Sequence, residues 1–230
     1  MNEVLFFGEI LLCFVSVVIA EKAFGKYGLF AWVAIASILA NIQTAKQIDL
    51  FGFSVTLGTV MFASIYLATD VLVEKYTFED SKRAVYIGLC STVVYLISMT
   101  LCCLYNPNMF DYVSPSMSTV FSFAPRICIS SVVMFFLSNL ADVHLFNRFK
   151  KRDGSTKLWK RNNIATIVCN CTENFLFIFG AFLGIYTVRE CLIIAINTCI
   201  VEVIVALLDT PFLYLAVYNK KGEASDETNY

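Results

Sequence analysis

Apolar residues in this chain come in long runs rather than in amphipathic stripes, from "VLFFGEILLCFVSVVIA" near the start to "CLIIAINTCIVEVIVALLDTPFLYLAV" near the end. About 20 apolar residues is the length a helix needs to cross a bilayer, and in lipid only a helix or a closed barrel satisfies its own backbone. The runs predict seven spans, at 4 to 21, 28 to 46, 54 to 73, 84 to 105, 119 to 146, 162 to 186 and 190 to 217. The expected fold is all-α, a polytopic membrane helical bundle of about seven transmembrane helices in a single domain at 1–218, with a disordered cytoplasmic tail at 219–230.

Composition agrees with this pattern. The chain is 58% hydrophobic and 15% charged with a mean hydropathy of +0.72, whereas soluble domains are about 45 to 50% apolar and about 25% charged. The N-terminus has an acidic first charge and no small-residue cleavage motif, so it reads as a retained span rather than a signal peptide.

The 17 Lys and Arg sort by side. Fourteen fall on one side, including Lys22, Lys26, Lys75, Lys82, Arg83 and the cluster from Arg148 to Arg161, while Lys46 and Arg189 fall on the other and Arg126 lies within a span. By the positive-inside rule this predicts N-out and C-in, with "RFKKRDGSTKLWKR" as a cytoplasmic loop. The expected location is the cell membrane, inner or plasma, as a multi-pass protein. Basic residues confined to short loops argue against nucleic acid. Nine cysteines without a CxxC pair and a single histidine offer no metal-ligand spacing, so no cofactor or metal is expected.

Polar residues inside the spans then become the candidate chemistry, because a charge at the bilayer centre costs about 2.5 to 3.5 kcal/mol on insertion scales and usually faces a partner or a cavity. In "TIVCNCTENFLFIFG", Asn170, Glu173 and Asn174 are spaced to share one helix face. Glu202 and Asp209 are seven apart on the last span, and Pro211 is expected to bend it. Asn41 and Gln43 lie in the second span; Glu9 on the first is a candidate partner for Arg126. Asp70 reads equally as a helix-end residue or a ligand contact, and Asp142, His144 and Asn147 as an interfacial cluster beside the basic loop. Glu173 and Glu202 are mid-span acids without an evident basic partner, which points to a polar ligand or a proton. Amides and acids read the edge of a flat heterocycle and aromatic rings stack on its face.

Two further stretches carry a resemblance. "LANIQTAKQIDLFGFSVTLGTVMFASIYLATDVLVEKY" followed by "SKRAVYIG", and "RICISSVVMFFLSNLADVHLFNRFK" with its "DVxxFNR" signature, resemble the queuosine precursor transporter family, also called vitamin uptake transporters, as does "NCTENFLF". The resemblance runs over about residues 28 to 217 and places Asn41, Asp70, Arg126, Asp142, Asn170 and Glu173 at motif positions. It implies an integral membrane protein that imports 7-deazaguanine precursors of the tRNA nucleoside queuosine: 7-cyano-7-deazaguanine, 7-aminomethyl-7-deazaguanine or queuine. The chain differs from the family pattern in Glu173, where Asp is commoner, in Glu202 and Asp209, and in a first helix added to a commonly six-helix core.

The expected substrate-binding set is Glu173, Asn170, Asn174, Asn41, Gln43, Arg126, Glu202 and Asp209. Expected partners are the small-molecule 7-deazaguanine substrate and the lipid bilayer, with homo-oligomerisation left open. No GxxxxGK[ST] motif is present, so one alternative is a membrane substrate-binding subunit of a separately energised uptake complex. An intramembrane enzyme is the other; the lone His and the lack of metal-ligand spacing weigh against it.

Overall fold

The structure, a computed structural model, describes residues 1–121, 125–153, 158–184 and 186–217. Its elements are α1 (Asn2–Gln43), β1 (Gln47–Leu50), β2 (Phe53–Thr56), α2 (Thr59–Lys75), α3 (Phe78–Leu104), α4 (Ser114–Phe121), α5 (Pro125–Asp153), α6 (Leu158–Phe182) and α7 (Val188–Val217). The first of these is two helices in one. At Gly25 the backbone takes φ 59° and ψ −142°, a conformation that a side chain would oppose and glycine adopts freely. The chain folds back there into an antiparallel hairpin, and Gln43 donates to Glu9 Oε1 at 2.7 Å across the two arms.

With the arms of α1 taken separately and the eight-residue α4 set aside, the described residues hold seven membrane-length segments, the number that hydropathy predicts. By length and composition α1, α3 and α7 are apolar enough to cross a membrane, with mean hydropathies of 2.3, 2.1 and 2.6. Their outer faces expose Leu11, Leu12 and Ile19, Val94, Ile97 and Leu101, and Ile196, Ile200 and Ile204, the side chains that lipid would cover.

The 17-residue α2 has a different role. From Thr59 to Glu74 every residue except Phe62 is buried, and the helix packs against α1, α3, α5 and α7. It is the axis of the bundle. Its polar residues Tyr66, Thr69 and Asp70 therefore face protein on all sides and not lipid. Close packing lets the neighbours approach: a Cβ on Gly88 of α3 would stand 2.9 Å from Ser37 Oγ and 3.2 Å from Val33 Cγ1 of α1. Small residues at such crossings are how membrane helices gain contact. Gly88→Ile is expected to force the helices apart and cost roughly 1 to 3 kcal/mol by overpacking. A melting curve of the purified protein in detergent checks this, and an unchanged midpoint would show that the crossing has slack.

Several boundaries differ from the hydropathy reading. The second span ends at Gln43 and the third begins at Thr59, because residues 47–56 form an antiparallel β-hairpin within an otherwise all-α fold. Its two-residue turn, Phe51 (φ 51°) and Gly52 (φ 83°), has positive φ at both positions, the twist that tight hairpins favour. Leu50 and Val55 are buried beneath it, and Asn2 Nδ2 bonds the Asp49 carbonyl at 3.1 Å. The hydropathy reading leaves 47 to 53 between two spans and begins the third span at 54, so only the end of the second strand, 54 to 56, is assigned to a helix there. The fifth span, expected from 119, instead divides into α4 and α5. Asp111 caps α4 through the amides of Val113 and Ser114 and the Ser114 hydroxyl, and these donors, the hydroxyl foremost, hold its carboxyl below the usual range. The basic stretch expected as a loop is largely helical, in α5 up to Asp153 and in α6 from Leu158. Pro211 lies within an uninterrupted α7. Residues 219–230, the expected tail, fall outside the described residues.

The two ends of the bundle are unlike. Lys22, Lys26, Lys75, Lys82, Arg83, Arg148 and Lys150 gather at one, where Lys75 pairs with Glu21 at 2.7 Å, Lys26 with Asp80 at 3.4 Å and Lys150 with Glu74 at 3.6 Å. The β-hairpin and α4 lie at the other. Below these are called the lysine-rich end and the hairpin end.

Candidate functional site

Four helices put polar side chains into the same level of the bundle. Tyr66 of α2 donates to Glu173 Oε2 of α6 at 2.7 Å and meets Ser138 Oγ of α5 at 2.8 Å. Ser138 also lies 3.2 Å from the Cys169 carbonyl. The next residue of α6, Asn174, donates its amide to Glu202 Oε2 of α7. Asn170 presents an amide oxygen that is buried without a hydrogen-bond donor among the described residues. Tyr66, Ser138, Asn170 and Asn174 are buried, and Glu173 and Glu202 are half-buried.

Glu173, Asn170, Asn174 and Glu202 line one cavity together with Tyr66, Thr44, Thr59, Phe62, Ala63 and Phe177. Two carboxylates, two amides and three hydroxyls thus face each other between aromatic rings, with Phe62 resting 5.1 Å from Phe135. The free volume is about 60 Å³. A cavity of about 150 Å³ holds benzene, so this form is too small for a bicyclic heterocycle. A larger, apolar groove of about 530 Å³ opens sideways between α5 and α6, and Ser138 and Glu173 reach it from within.

The remaining expected residues are placed elsewhere. Asn41 donates to the Ser37 carbonyl of its own helix at 2.7 Å, and Gln43 is engaged by Glu9, the acid that the sequence offered as a partner for Arg126. Neither lines the cavity. The side chain of Arg126 lies outside the described residues. Asp209 is fully buried two turns nearer the lysine-rich end, where Asn162 donates to its Oδ1 at 2.7 Å; beside it Asn163 donates to Thr210 Oγ1 at 2.8 Å. The interfacial reading of Asp142 and the helix-end reading of Asp70 are both corrected: each is 0% exposed inside the bundle. His144, turned to the Leu140 carbonyl and the Phe78 ring, is exposed, and Asn147 is half-buried.

The sequence reading missed Tyr66 and Ser138. A tyrosine or serine in an apolar run carries no charge signal, although Tyr66 stands four residues before Asp70 and Ser138 four before Asp142, one helical turn in each case. Tyr66→Phe would remove the donor that orients Glu173. A hydrogen bond to a charged group contributes about 1.5 to 3 kcal/mol, and the expected result is a loss of uptake of roughly tenfold with normal membrane insertion. Initial-rate uptake in cells at matched expression checks it; an unchanged rate would make Tyr66 a spectator.

No solved structure matches this chain. Residues 56–216, which run from the end of the β-hairpin through α7, match the family model described as "Putative vitamin uptake transporter". A "Probable queuosine precursor transporter" of Bacillus subtilis (strain 168) is 36% identical over 215 residues, 93% of each chain. The "Queuosine precursor transporter" of Escherichia coli (strain K12) is 24% identical over 161 residues, 68% of this chain and 70% of its own. The match to the family model takes in every helix that supplies the Tyr66, Ser138, Glu173 and Glu202 cluster, and α1 precedes it. The chain belongs to the vitamin uptake transporter family, as a multi-pass membrane transporter and not an enzyme.

Proposed function

We propose that this protein imports 7-deazaguanine precursors of queuosine, with its lysine-rich end in the cytoplasm. The observation that carries the reading is the single cavity where Glu173 and Glu202, Asn170 and Asn174, and the rings of Phe62 and Phe177 converge. A guanine-like edge presents adjacent N–H donors, which one carboxylate accepts in pairs. Its carbonyl and ring nitrogens suit the amide groups, and its flat faces suit the two phenylalanines. The named relatives support the same substrate class. Glu173 is the principal acceptor in this reading, Asn170 reads beside it, and Asn174 holds Glu202 in place.

The charge sorting supports the orientation, since basic residues are retained on the cytoplasmic side. The deciding experiment uses cells unable to make the precursors themselves. Supplied at low concentration, 7-cyano-7-deazaguanine, 7-aminomethyl-7-deazaguanine or queuine should restore queuosine in tRNA only when this protein is expressed. Equal restoration without it would refute the reading.

A further inference from the structure

Glu173 lines two spaces, the cavity of about 60 Å³ and the lateral groove of about 530 Å³ between α5 and α6. Ser138 lines the groove and bonds Tyr66, which lines the cavity, so one layer of side chains separates the two. The groove is walled mostly by apolar side chains, of which Leu137, Val168 and Leu176 are each just over half exposed. In a multi-pass membrane protein this face looks onto lipid. Its volume lies within the roughly 300 to 1,000 Å³ of ligand sites, which is enough for an occupant and not merely for a passing side chain.

Depth is the first clue to that occupant. The groove follows α5 as far as Arg148, ten residues beyond Ser138, a rise of about 15 Å along a helix. The hydrocarbon core of a bilayer is about 30 Å thick, so one leaflet is about 15 Å deep. From the level of Glu173 to the lysine-rich end the groove is therefore one leaflet long. Trp159, 57% exposed at the start of α6, lies at that same end, and tryptophan is enriched where hydrocarbon gives way to headgroups.

Charge is the second. Arg148 is exposed, lines the mouth of the groove and has no ion pair among the described residues, whereas Lys26, Lys75 and Lys150 at the same end are paired with Asp80, Glu21 and Glu74. His144, four residues earlier, lines the groove too, and Lys151, three residues later, is exposed. These spacings put all three on one helix face. The single acid of the lining, Glu173, is at the far end. A guanidinium offers phosphate oxygens a planar pair of donors, and basic pockets between membrane helices are where anionic headgroups bind.

We propose that an anionic glycerophospholipid resides in this groove, its phosphate on Arg148 and one acyl chain laid along α5 to the level of Ser138, where the chain forms the side wall of the binding site. The lipid site stands on the groove's depth, lining and charge; its role as a wall rests on the import reading above. An acyl chain there closes the bilayer-facing flank of Glu173 to water, and hydrogen bonds to a substrate are stronger in such low-dielectric surroundings. A second copy of the chain fits less well. A two-fold axis along the membrane normal would set the two basic stripes at one level, like charge against like.

The test uses purified protein stripped of lipid in detergent, with dioleoylphosphatidylglycerol as the anionic probe and dioleoylphosphatidylethanolamine as its zwitterionic control. Native mass spectrometry should show phosphatidylglycerol retained about tenfold more than the control. Arg148→Gln should erase that preference, and Ala141→Phe, which sets a ring into the groove from an exposed position, should lower retention of both lipids. Phosphatidylglycerol carrying a diazirine at mid-chain should crosslink to peptides that hold residues 134–141 and 168–176. Equal retention of the two lipids by the unaltered protein, a preference that both variants keep, or crosslinks confined to other helices would overturn the site. A dimer that Ala141→Phe dissolves would give the groove to a second copy instead. In liposomes, uptake of labelled 7-aminomethyl-7-deazaguanine should rise about fivefold when phosphatidylglycerol is added to phosphatidylethanolamine, and Arg148→Gln should remove the rise. Uptake indifferent to phosphatidylglycerol would take the lipid out of the wall of the site. No uptake by the unaltered protein in either lipid would overturn the import reading, while retention and crosslinking would still decide the lipid site.

Discussion

Glu173→Gln is expected to lower precursor uptake by about 100-fold while the protein still inserts and folds. The carboxylate stands at the centre of the cavity, held by the Tyr66 hydroxyl at 2.7 Å. A heterocycle that offers two adjacent N–H groups would take both carboxylate oxygens, and hydrogen bonds to charged acceptors contribute about 1.5 to 3 kcal/mol each. A carboxamide keeps the shape and one acceptor but turns the second oxygen into a donor that opposes the ligand's own. The loss of about 3 kcal/mol corresponds to about two orders of magnitude in affinity. Glu173→Asp, which retains the charge and shortens the arm by one methylene, should fall between the two. Uptake of labelled precursor at matched membrane abundance is the measurement, and near-normal transport by the Gln variant would remove Glu173 from the site.

Glu202→Gln is expected to change which precursor wins rather than whether transport occurs. Glu202 faces the same cavity as Glu173 from α7 and is oriented by the Asn174 amide. An amine-bearing precursor bound to Glu173 by its ring edge can set its cation against Glu202. Two unit charges at 4 Å attract by about 4 kcal/mol at an effective dielectric of 20, before desolvation is subtracted. A net of about 2 kcal/mol gives roughly a 30-fold preference for 7-aminomethyl-7-deazaguanine over the nitrile, and the Gln variant should erase it. Competition of each precursor against labelled queuine decides the matter; equal potency of nitrile and amine on the unaltered protein would dismiss Glu202 as a cation partner.

The all-helical membrane bundle, the sorting of lysines to one end and the face shared by Asn170, Glu173 and Asn174 were legible because each follows from a one-dimensional rule: run length, charge counting and helical spacing. The β-hairpin was not: run length leaves 47 to 53 as a connection and places 54 to 56 in the third span, and the pairing through the Phe51-Gly52 turn carries no run-length signal. Asp70 and Asp142 sit a few residues from Glu74, Lys75 and Arg148, which made them read as interfacial. Their burial comes from α2 being enclosed on all sides, a property of the assembly that the sequence of α2 alone does not display. Asn41 and Gln43 show the converse. Their types suit ligand recognition, yet one bonds its own helix and the other bridges the arms of α1. Tyr66 stayed hidden for a related reason: one tyrosine among eleven acquires meaning only beside Glu173.

The cavity of about 60 Å³ also says how the protein is open to inhibition. A form too small for the substrate competes with every form that admits it, and apparent affinity falls in proportion to the fraction of molecules that are closed. An antibody fragment or a macrocycle that grips only this closed form, for instance across the β-hairpin at Phe51 and the neighbouring N-terminal arm, would therefore drain the receptive population without touching Glu173. By linkage the two ligands would exclude one another. Rate measurements would report competitive inhibition between molecules that never share a contact.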